Sequence, residues 1–156
     1  MGPLEQVFSD LVRAQIELWN AVDARLRRDH GFGAATFEPL RVIAERGGCR
    51  VGDIADDLVI TVGGASKLVD RLESSGLCLR RANPEDRRSS LIGLTTAGEG
   101  ALAAATDTLR DELSTRLLGP LGDRRLDALG DTLSILRRSH STTGQTAAPR
   151  PERTTP

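Results

Sequence analysis

Residues 83–90, which read Asn-Pro-Glu-Asp-Arg-Arg-Ser-Ser, constrain the fold of this chain more than any other segment. They lie between two short apolar runs, Leu-Cys-Leu at 77–79 and Leu-Ile-Gly-Leu at 91–94. Asn and Pro start turns because of their local backbone preferences, and short apolar runs on both sides of a turn are typical of a β-hairpin. The sequence therefore predicts a β-ribbon whose tip carries Arg87 and Arg88 away from the body of the domain.

Two helical patterns separated by a short turn precede the hairpin. The first covers about 52–58, and the second runs from a candidate N-cap at Thr61 to about Ser74 and ends at Gly76, which suits a left-handed C-cap. Four apolar side chains of the second helix share one face: Ala65, Leu68, Val69 and Leu72. Two helices followed by a hairpin form a winged helix-turn-helix, an arrangement that binds duplex DNA.

The opposite face of the second helix carries residues suited to the major groove. A helix that enters the groove needs small or polar side chains near its N-terminus, because that end approaches the base edges. Gly63, Ser66 and Lys67 meet this need, and Lys67 is more typical of a phosphate contact. Gly63 and Gly64 together cost a helix about 2 kcal/mol relative to two alanines, which close approach of the backbone to DNA would explain. The alternative is that both glycines lie in a loop before a helix that begins later.

Charged residues dominate the hairpin. Four arginines lie within nine positions: Arg80, Arg81, Arg87 and Arg88. The negative potential of a narrow minor groove attracts guanidinium groups at the tip of a ribbon; the alternative is a solvated charged loop. Asp86 is expected to accept a hydrogen bond from a neighbouring arginine or turn N–H and so to fix the loop shape. Asp70 is expected to orient Lys67, Arg71 or a wing arginine, since a carboxylate repels phosphate.

Further apolar patterns predict helices on both sides of this lobe. Apolar residues recur at helical spacing over about 4–28, in a band wide enough to pack on the body and also to meet a second subunit. Thr36 is expected to cap the next helix, which Gly47 closes. After the hairpin, Thr95 is expected to cap a helix that reaches about Leu118.

The pair Gly119-Pro120 is expected to break that helix. A final helix over about 123–139 is expected to bury four leucines: Leu126, Leu129, Leu133 and Leu136. Residues 140–156 offer almost nothing apolar to offset the entropy of ordering, so the sequence predicts a disordered tail. At 156 residues the chain is expected to form one compact unit.

Composition narrows the classes of function. The net charge is only −1, so a DNA-binding face must come from local placement of charge. The chain has no apolar run near the ~20 residues of a membrane span and lacks the basic start of a signal peptide, so a cytoplasmic location is expected. The sequence shows no feature that would indicate an enzyme, such as a Ser/His/Asp set, a phosphate-binding glycine loop or a pair of carboxylates in a plausible pocket.

The cysteines and histidines do not indicate a metal or cofactor site. Cys49 and Cys78 lie 29 residues apart and belong to no CxxC or Cys/His cluster, and His30 and His140 are equally isolated. The sequence therefore predicts no metal and no cofactor. The two cysteines are expected to be small, half-buried thiols beside the strands.

Four segments, taken in order, resemble the MarR family of transcriptional regulators. They are Ala-Glu-Arg-Gly-Gly-Cys-Arg-Val-Gly-Asp-Ile-Ala at 44–55, Ser-Lys-Leu-Val-Asp-Arg-Leu-Glu-Ser-Ser-Gly-Leu at 66–77, Pro-Glu-Asp-Arg-Arg at 84–88 and Leu-Thr-Thr-Ala-Gly at 94–98. The resemblance covers about residues 35–100 by motif and the rest by helix layout. It is carried by the order of the segments, since any one of them alone is common.

The resemblance implies an obligate homodimer whose N- and C-terminal helices interlock, with a winged helix-turn-helix on each subunit and a palindromic operator. The Asp-x-Arg of the family's wing falls on Asp86 and Arg88. At Gly63 and Gly64 the chain departs from many relatives, which carry hydroxyl residues there. A thiol-sensing branch of the family uses a reactive cysteine in the first helix; this chain has none there, which disfavours peroxide sensing.

Many family members are released from DNA by a small, often aromatic, ligand in a cleft between the dimer helices and the DNA-binding lobe. Trp19 and Phe37 are the candidates to line such a cleft in this chain. The alternative is that both belong to the core, because the chain has few aromatic residues.

Together these observations predict a mainly α protein with a winged helix-turn-helix lobe, a small β-hairpin wing and a helical dimerisation region formed by the N- and C-terminal helices. A single domain is expected over 1–139, with the DNA-binding lobe at about 35–95 and dimerisation helices at 4–30 and 96–139. The residues expected to contact DNA are Thr61, Gly63, Gly64, Ser66, Lys67, Arg71, Arg87 and Arg88.

The predicted function is that of a dimeric, sequence-specific DNA-binding transcriptional regulator, a repressor released by a small-molecule ligand. Its partners would be double-stranded DNA with a palindromic operator, a second copy of the chain and a small aromatic effector, with no membrane. The alternative is a winged-helix module that binds protein and not DNA.

Overall fold

A computed structural model describes residues 2–86 and 88–143, with the side chains of 140–143 excluded. The helices and strands follow one another as α1 (Pro3–His30), α2 (Ala34–Arg46), α3 (Val51–Leu58), α4 (Val62–Ser74), β1 (Cys78–Ala82), β2 (Ser90–Leu94), α5 (Thr96–Leu113), a π-helical segment (Ser114–Leu118) and α6 (Gly119–Thr143). None of these helices combines the length and the apolar composition that a membrane span requires.

The chain divides into two compact units, Met1–Ser114 and a second that begins at Thr115, where chain length led us to expect one. The boundary falls inside the π-helical segment, where the regular ladder of helical hydrogen bonds is interrupted.

The predicted β-ribbon is present as an antiparallel pair. β1 pairs with β2 in a register that joins Cys78 to Leu94 and Ala82 to Ser90. Cys49 extends this sheet by one bridge to Ile92, with backbone hydrogen bonds of 3.1 and 2.7 Å. The ribbon is therefore anchored to the segment that leads into α3.

The N-terminus of α2 is capped by a side chain from α1, and the expected cap at Thr36 is wrong. The backbone N–H of Ala34 donates to the carboxylate of Asp23 at 2.9 Å, and Thr36 lies inside the helix. Asp23 also accepts from Arg27 at 2.6 Å, and this hydrogen bond is the main reason that the pKa of Asp23 is lowered. Asp23 of α1 therefore caps α2, and the local candidate Thr36 does not.

Helix α4, which the sequence predicted to enter the major groove, begins where expected. Thr61 accepts a hydrogen bond from the Gly64 N–H at 3.1 Å, so both glycines lie within the first turn of the helix. The alternative of a later helix start is therefore wrong.

Two apolar clusters form the core of the first unit. One joins α2, α3, α4 and the ribbon and comprises Leu40, Val42, Ile43, Cys49, Ile54, Ala55, Ala65, Val69, Leu72, Cys78 and Ile92. The other joins α1, α2 and α5 and comprises Val22, Leu26, Ala34, Phe37 and Ala105. The two clusters fix the winged lobe and the second half of α1 against α5.

The start of α5 is docked closely on the turn between α4 and β1. Thr95 caps the helix by accepting from the Gly98 N–H at 3.0 Å, and its own hydroxyl donates to the Gly76 carbonyl at 2.6 Å. A Cβ placed on Gly98 would lie 1.9 Å from the carbonyl oxygen of Leu77. Only glycine fits there without a backbone shift, which explains its place in the segment 94–98.

The second unit departs from the sequence prediction in three respects. Gly119-Pro120 does not end the helix; the backbone leaves helical geometry at Gly122 instead, with φ 67° and ψ 165°. Pro120 thus lies between the π-helical segment and the kink at Gly122. The helix continues to Thr143, past the expected end at 139, and the rest of the predicted disordered tail, 144–156, lies outside the described residues.

The leucines of α6 are not buried within one chain, contrary to prediction. Leu126 and Leu129 are half-buried, and Leu133 and Leu136 are exposed. Helical spacing identified the apolar side of α6, but it did not identify what covers that side.

Candidate nucleic-acid interface

The first two turns of α4 present a low, open surface. Gly63, Gly64 and Lys67 are exposed, and Ser66 is half-buried. No atom lies within 4 Å of where a Cβ on Gly63 would be, so nothing obstructs approach to the helix backbone at this point. The hydroxyl of Thr61 is occupied as the acceptor of the helix cap. The structure thus brings five of the predicted DNA-contacting residues together at one end of α4.

Arg71 stands apart from this group. It lies about one turn beyond Lys67 on α4, is exposed, and lines a cleft described below together with Arg27. The structure therefore does not bring Arg71 to the end of α4 where the other predicted contacts lie.

An arginine of the wing joins the ribbon to the recognition helix. The guanidinium of Arg80 lies 2.6 Å from the Asp70 carboxylate and forms a second, close ion pair with Glu73. Its backbone N–H also donates to Glu73 at 3.1 Å. Of the three partners considered for Asp70, the wing arginine is the one observed. Arg80 is thus engaged inside the lobe and offers less charge to a ligand than its position in the sequence indicated.

The wing tip is closed by a buried asparagine. Asn83 is almost fully buried; its Nδ2 donates to the Ser89 hydroxyl at 2.9 Å, and its Oδ1 accepts from the Glu85 N–H at 3.0 Å. These bonds join the two sides of the loop. The sequence had assigned Asn83 only a turn-starting role, and its structural role follows from its low exposure.

Asp86 shapes the loop through the turn backbone, one of the two partners expected. Its carboxylate accepts from the Arg88 N–H at 3.0 Å, which is the main reason that the pKa of Asp86 is lowered. The side chain of Arg88 is exposed beside it. Arg87, the other predicted contact of the tip, lies outside the described residues.

Arg50 is a candidate contact that we did not predict. It is exposed and directly follows Cys49, whose bridge to Ile92 brings this segment to the base of the wing. The pKa of Asp86 is lowered mainly by the Arg88 N–H and the Ser89 side chain, and to a smaller extent by the charge of Arg50. The local sequence carries no signal for this placement, because the bridge joins Cys49 to a residue far along the chain.

A cleft of about 460 Å³ lies within the first unit, between α1, α2 and α4. It is lined by Arg27, Phe32, Ala35, Thr36, Leu68, Arg71, Leu72, Ser75 and Leu77. Neither Trp19 nor Phe37, the pair predicted to line a ligand cleft, lines this one. Phe37 is only 2% exposed and belongs to the core, as the alternative held, whereas Trp19 is 41% exposed on α1.

Both cysteines are buried, more deeply than the half-burial expected. Desolvation raises the pKa of Cys49 to about 11 and also raises that of Cys78, so both thiols are protonated near neutral pH. Within the residues that the structure covers, no three His, Cys, Asp or Glu side chains converge in a way that could hold a metal ion.

Comparison with known proteins places this geometry in a family. The model of the MarR family matches residues 34–90. Among curated proteins, the HTH-type transcriptional regulator MhqR of Bacillus subtilis (strain 168) is 32% identical over 73 residues, 47% of this chain and 50% of its own length. The matched segment spans about half the length of the first curated relatives.

Solved structures match over much more of the chain. Sco3205, a MarR family transcriptional regulator from Streptomyces coelicolor in complex with DNA, superposes with a TM-score of 0.80 at 26% identity, covering 89% of this chain and 92% of that one. The transcriptional repressor CouR, bound to a 23-mer DNA duplex, superposes with a TM-score of 0.79 at 30% identity, covering 88% and 96%. The predicted winged-helix fold is confirmed, and the chain belongs to the MarR family of transcriptional regulators.

Proposed function

We propose that this chain is a dimeric, sequence-specific DNA-binding regulator that represses transcription. The observation that carries the proposal is the ion-paired unit of wing and recognition helix, in which Arg80 joins Asp70 and Glu73. This unit presents Lys67 and Arg88 to solvent. Two relatives of the same fold, Sco3205 and CouR, have been solved with DNA.

Each of these exposed groups would contact a different part of duplex DNA. The glycine-rich first turn of α4 would enter the major groove, where its flat surface lets the backbone approach the base edges. Lys67 would meet phosphate as a point charge, and Arg88 would enter the minor groove beside it. Arg50 would add a phosphate contact between the two.

Dimerisation is supported by the apolar side of α1. Leu4, Val7, Phe8, Leu11 and Ile16 recur at helical spacing and are all exposed in the single chain. An exposed apolar stripe of this length marks a protein interface. A closed dimer presents two identical recognition helices, so the operator would be two-fold symmetric with half-sites about 34 Å apart.

Selection from random DNA tests the function. Purified full-length protein would be incubated with a pool of random duplexes at low and moderate salt, and the bound fraction sequenced and footprinted. We expect an inverted repeat whose affinity falls steeply with salt, because phosphate contacts release counterions. Recovery of random sequence only, or binding that salt does not weaken, would favour the alternative of a protein-binding module.

The proposed effector is a small apolar or aromatic anion that releases the protein from DNA. The cleft has two guanidinium groups, Arg27 and Arg71, and apolar walls from Phe32, Leu68 and Leu72. Arg71, Leu68 and Leu72 belong to α4, so a ligand here would touch the back of the recognition helix.

Benzoate and its neutral analogue benzamide test the effector. We expect benzoate to weaken DNA binding more than benzamide, since only the anion pairs with the two arginines, and we expect Arg27→Gln to reduce that difference. Arg28→Gln is the matched control, because Arg28 is an exposed neighbour that does not line the cleft. Equal effects of both compounds would remove the anion from the proposal.

The proposal contains no catalytic step, in keeping with a family of transcriptional regulators. It places the protein in the cytoplasm, beside the DNA that it would bind.

A further inference from the structure

The turn between α3 and α4 exposes an apolar patch that the proposed function does not yet use. Apart from residues on α1 and α6, every exposed large apolar side chain in the described chain lies at 59–62. Val59 is 91% exposed, Ile60 40% and Val62 60%. The patch therefore lies at the groove end of the recognition helix, away from the apolar stripe of α1.

The backbone at this patch is strained. Val59 has φ 55° and ψ 47°, and it is the one non-glycine residue with positive φ among those described. A β-branched side chain is unfavourable in the left-handed region, where glycine or asparagine is relaxed. An exposed valine in this position gains nothing from burial, which points to a use for the surface at this turn.

Val62 is the foremost side chain of α4. It is the first residue of the helix, and the two residues that follow are glycines without side chains. The Thr61 hydroxyl already accepts from Gly64, and Ser66 lies one turn further back and is half-buried. The first side-chain group that would reach a base edge here is aliphatic.

Only one feature of the major groove suits such a group. Most other base-edge features there are hydrogen-bond donors and acceptors, which an aliphatic side chain cannot pair, and cytosine presents only a C5–H where thymine carries a C5-methyl group. We propose that Val62 selects a thymine in each half-site by contact with its C5-methyl. This inference rests on the proposed DNA-binding function and deepens it by naming the base feature that is read.

Replacement of thymine by deoxyuridine tests the contact directly, because uracil keeps every hydrogen-bonding group of thymine and lacks only the methyl. Symmetric thymine pairs in a duplex selected from the random pool would be replaced one pair at a time. Affinity would be measured by fluorescence anisotropy with the full-length chain and with Val62→Ala.

We expect one symmetric pair at which uracil weakens binding of the wild-type chain by about fourfold per half-site, the equivalent of one buried methyl-sized group at ~0.8 kcal/mol. The same replacement should leave the affinity of Val62→Ala unchanged. Alanine favours helix at this exposed position, so the variant should fold, which circular dichroism would verify.

Lys67→Ala is the matched control on the same helix. It should weaken binding to the thymine and uracil duplexes by the same factor, since a phosphate contact does not sense the methyl. Uracil sensitivity that persists in Val62→Ala, or a wild-type chain that is insensitive at every pair, would overturn the inference while leaving DNA binding intact. Failure to select any duplex would instead overturn the proposed function, and this inference with it.

Discussion

The winged lobe buries its core apolar side chains within the chain, whereas the first half of α1 leaves its apolar side chains exposed. In the lobe, Ile54 and Ile92 are completely buried among α2, α3, α4 and the ribbon. On α1, Leu4 is 80% exposed and Phe8 68%. The lobe is therefore a complete core within one chain, whereas the first half of α1 is complete only against another surface.

Helix α1 itself contains both buried and exposed apolar side chains. Val22 and Leu26, in the second half of α1, are buried against α2 and α5. The apolar spacing is continuous along α1, so periodicity alone does not distinguish the half that packs inside the chain from the half that does not. Exposure in the folded chain makes that distinction, because the second half contains buried apolar residues and those of the first half are exposed.

The largest expected effect is the loss of the dimer when the exposed stripe is charged. Phe8→Glu combined with Leu11→Glu should raise the dimer dissociation constant by about a thousandfold or more, because each fully buried Phe or Leu contributes about 1.5–3 kcal/mol and both subunits carry them. Sedimentation velocity measures the outcome. DNA affinity should fall with it, since a monomer offers one half-site.

Val59→Glu is the matched control, because Val59 is equally apolar and exposed but lies outside α1. It should remain dimeric. If the Phe8→Glu, Leu11→Glu variant still sediments as a stable dimer, the exposed stripe of α1 is not the dimer interface.

The next effect concerns the closed core of the lobe. Gly98→Ala should lower the free energy of unfolding by several kcal/mol, since its Cβ would overlap the Leu77 carbonyl. Gly100→Ala, two residues along the same helix, has open space around the new Cβ and should raise it by about 1 kcal/mol. Urea denaturation of both variants measures the difference. Equal effects would mean that the docking of α5 is looser than its geometry indicates.

These two glycines also mark what sequence reasoning can and cannot reach. The segment 94–98 matched the family pattern and Thr95 was correctly expected to cap α5, because both depend on local spacing. The reason for Gly98 is a backbone atom 21 positions earlier in the chain, at Leu77, and only the folded structure brings it near. Asp23 capping α2 in place of Thr36 has the same cause.

A smaller effect is expected at the wing, which is proposed to contact DNA. Arg88→Ala should weaken DNA binding by about 1–3 kcal/mol, more on operators with A·T-rich flanks, because a narrow minor groove attracts guanidinium. Lys67→Ala should weaken specific and non-specific duplexes alike and reduce the salt slope by about one. Titration at several salt concentrations on A·T and G·C flanks separates the two. An Arg88→Ala protein with unchanged affinity on both flanks would remove the wing from the mechanism.

The smallest expected effect is that of the cysteines on DNA binding. Because Cys49 and Cys78 are buried, alanine is the better replacement, since serine would bury a hydroxyl without an assured partner. The double variant should bind DNA with unchanged affinity, with or without peroxide. Release by peroxide that disappears in this variant would show that the lobe opens more readily than its core indicates.

The burial of the thiols can also be tested through the pH dependence of the free energy of unfolding. The pKa of Cys49 is raised from 9.0 to about 11, so the folded chain holds its proton more tightly than the unfolded chain. The stability from this difference is fully present below about pH 9 and is lost as the pH rises through 11. Alkylation by iodoacetamide should be slow at neutral pH and fast only on unfolding.

The candidate site was predictable to the extent that its residues are neighbours in sequence. Thr61, Gly63, Gly64, Ser66 and Lys67 lie together because one helix carries them. Arg50 was missed because the bridge from Cys49 to Ile92 crosses 43 positions. Phe37 was predicted to line a ligand cleft because of its aromatic character, whereas packing places it in the core.

The ion pairs of Arg80 with Asp70 and Glu73 have a mechanical consequence. They hold the ribbon against α4, so that the helix and the wing are expected to move as one rigid body. A rotation of α4 would therefore carry the wing with it. If α4 and the wing contact DNA as proposed, the major- and minor-groove contacts would then be gained or lost together.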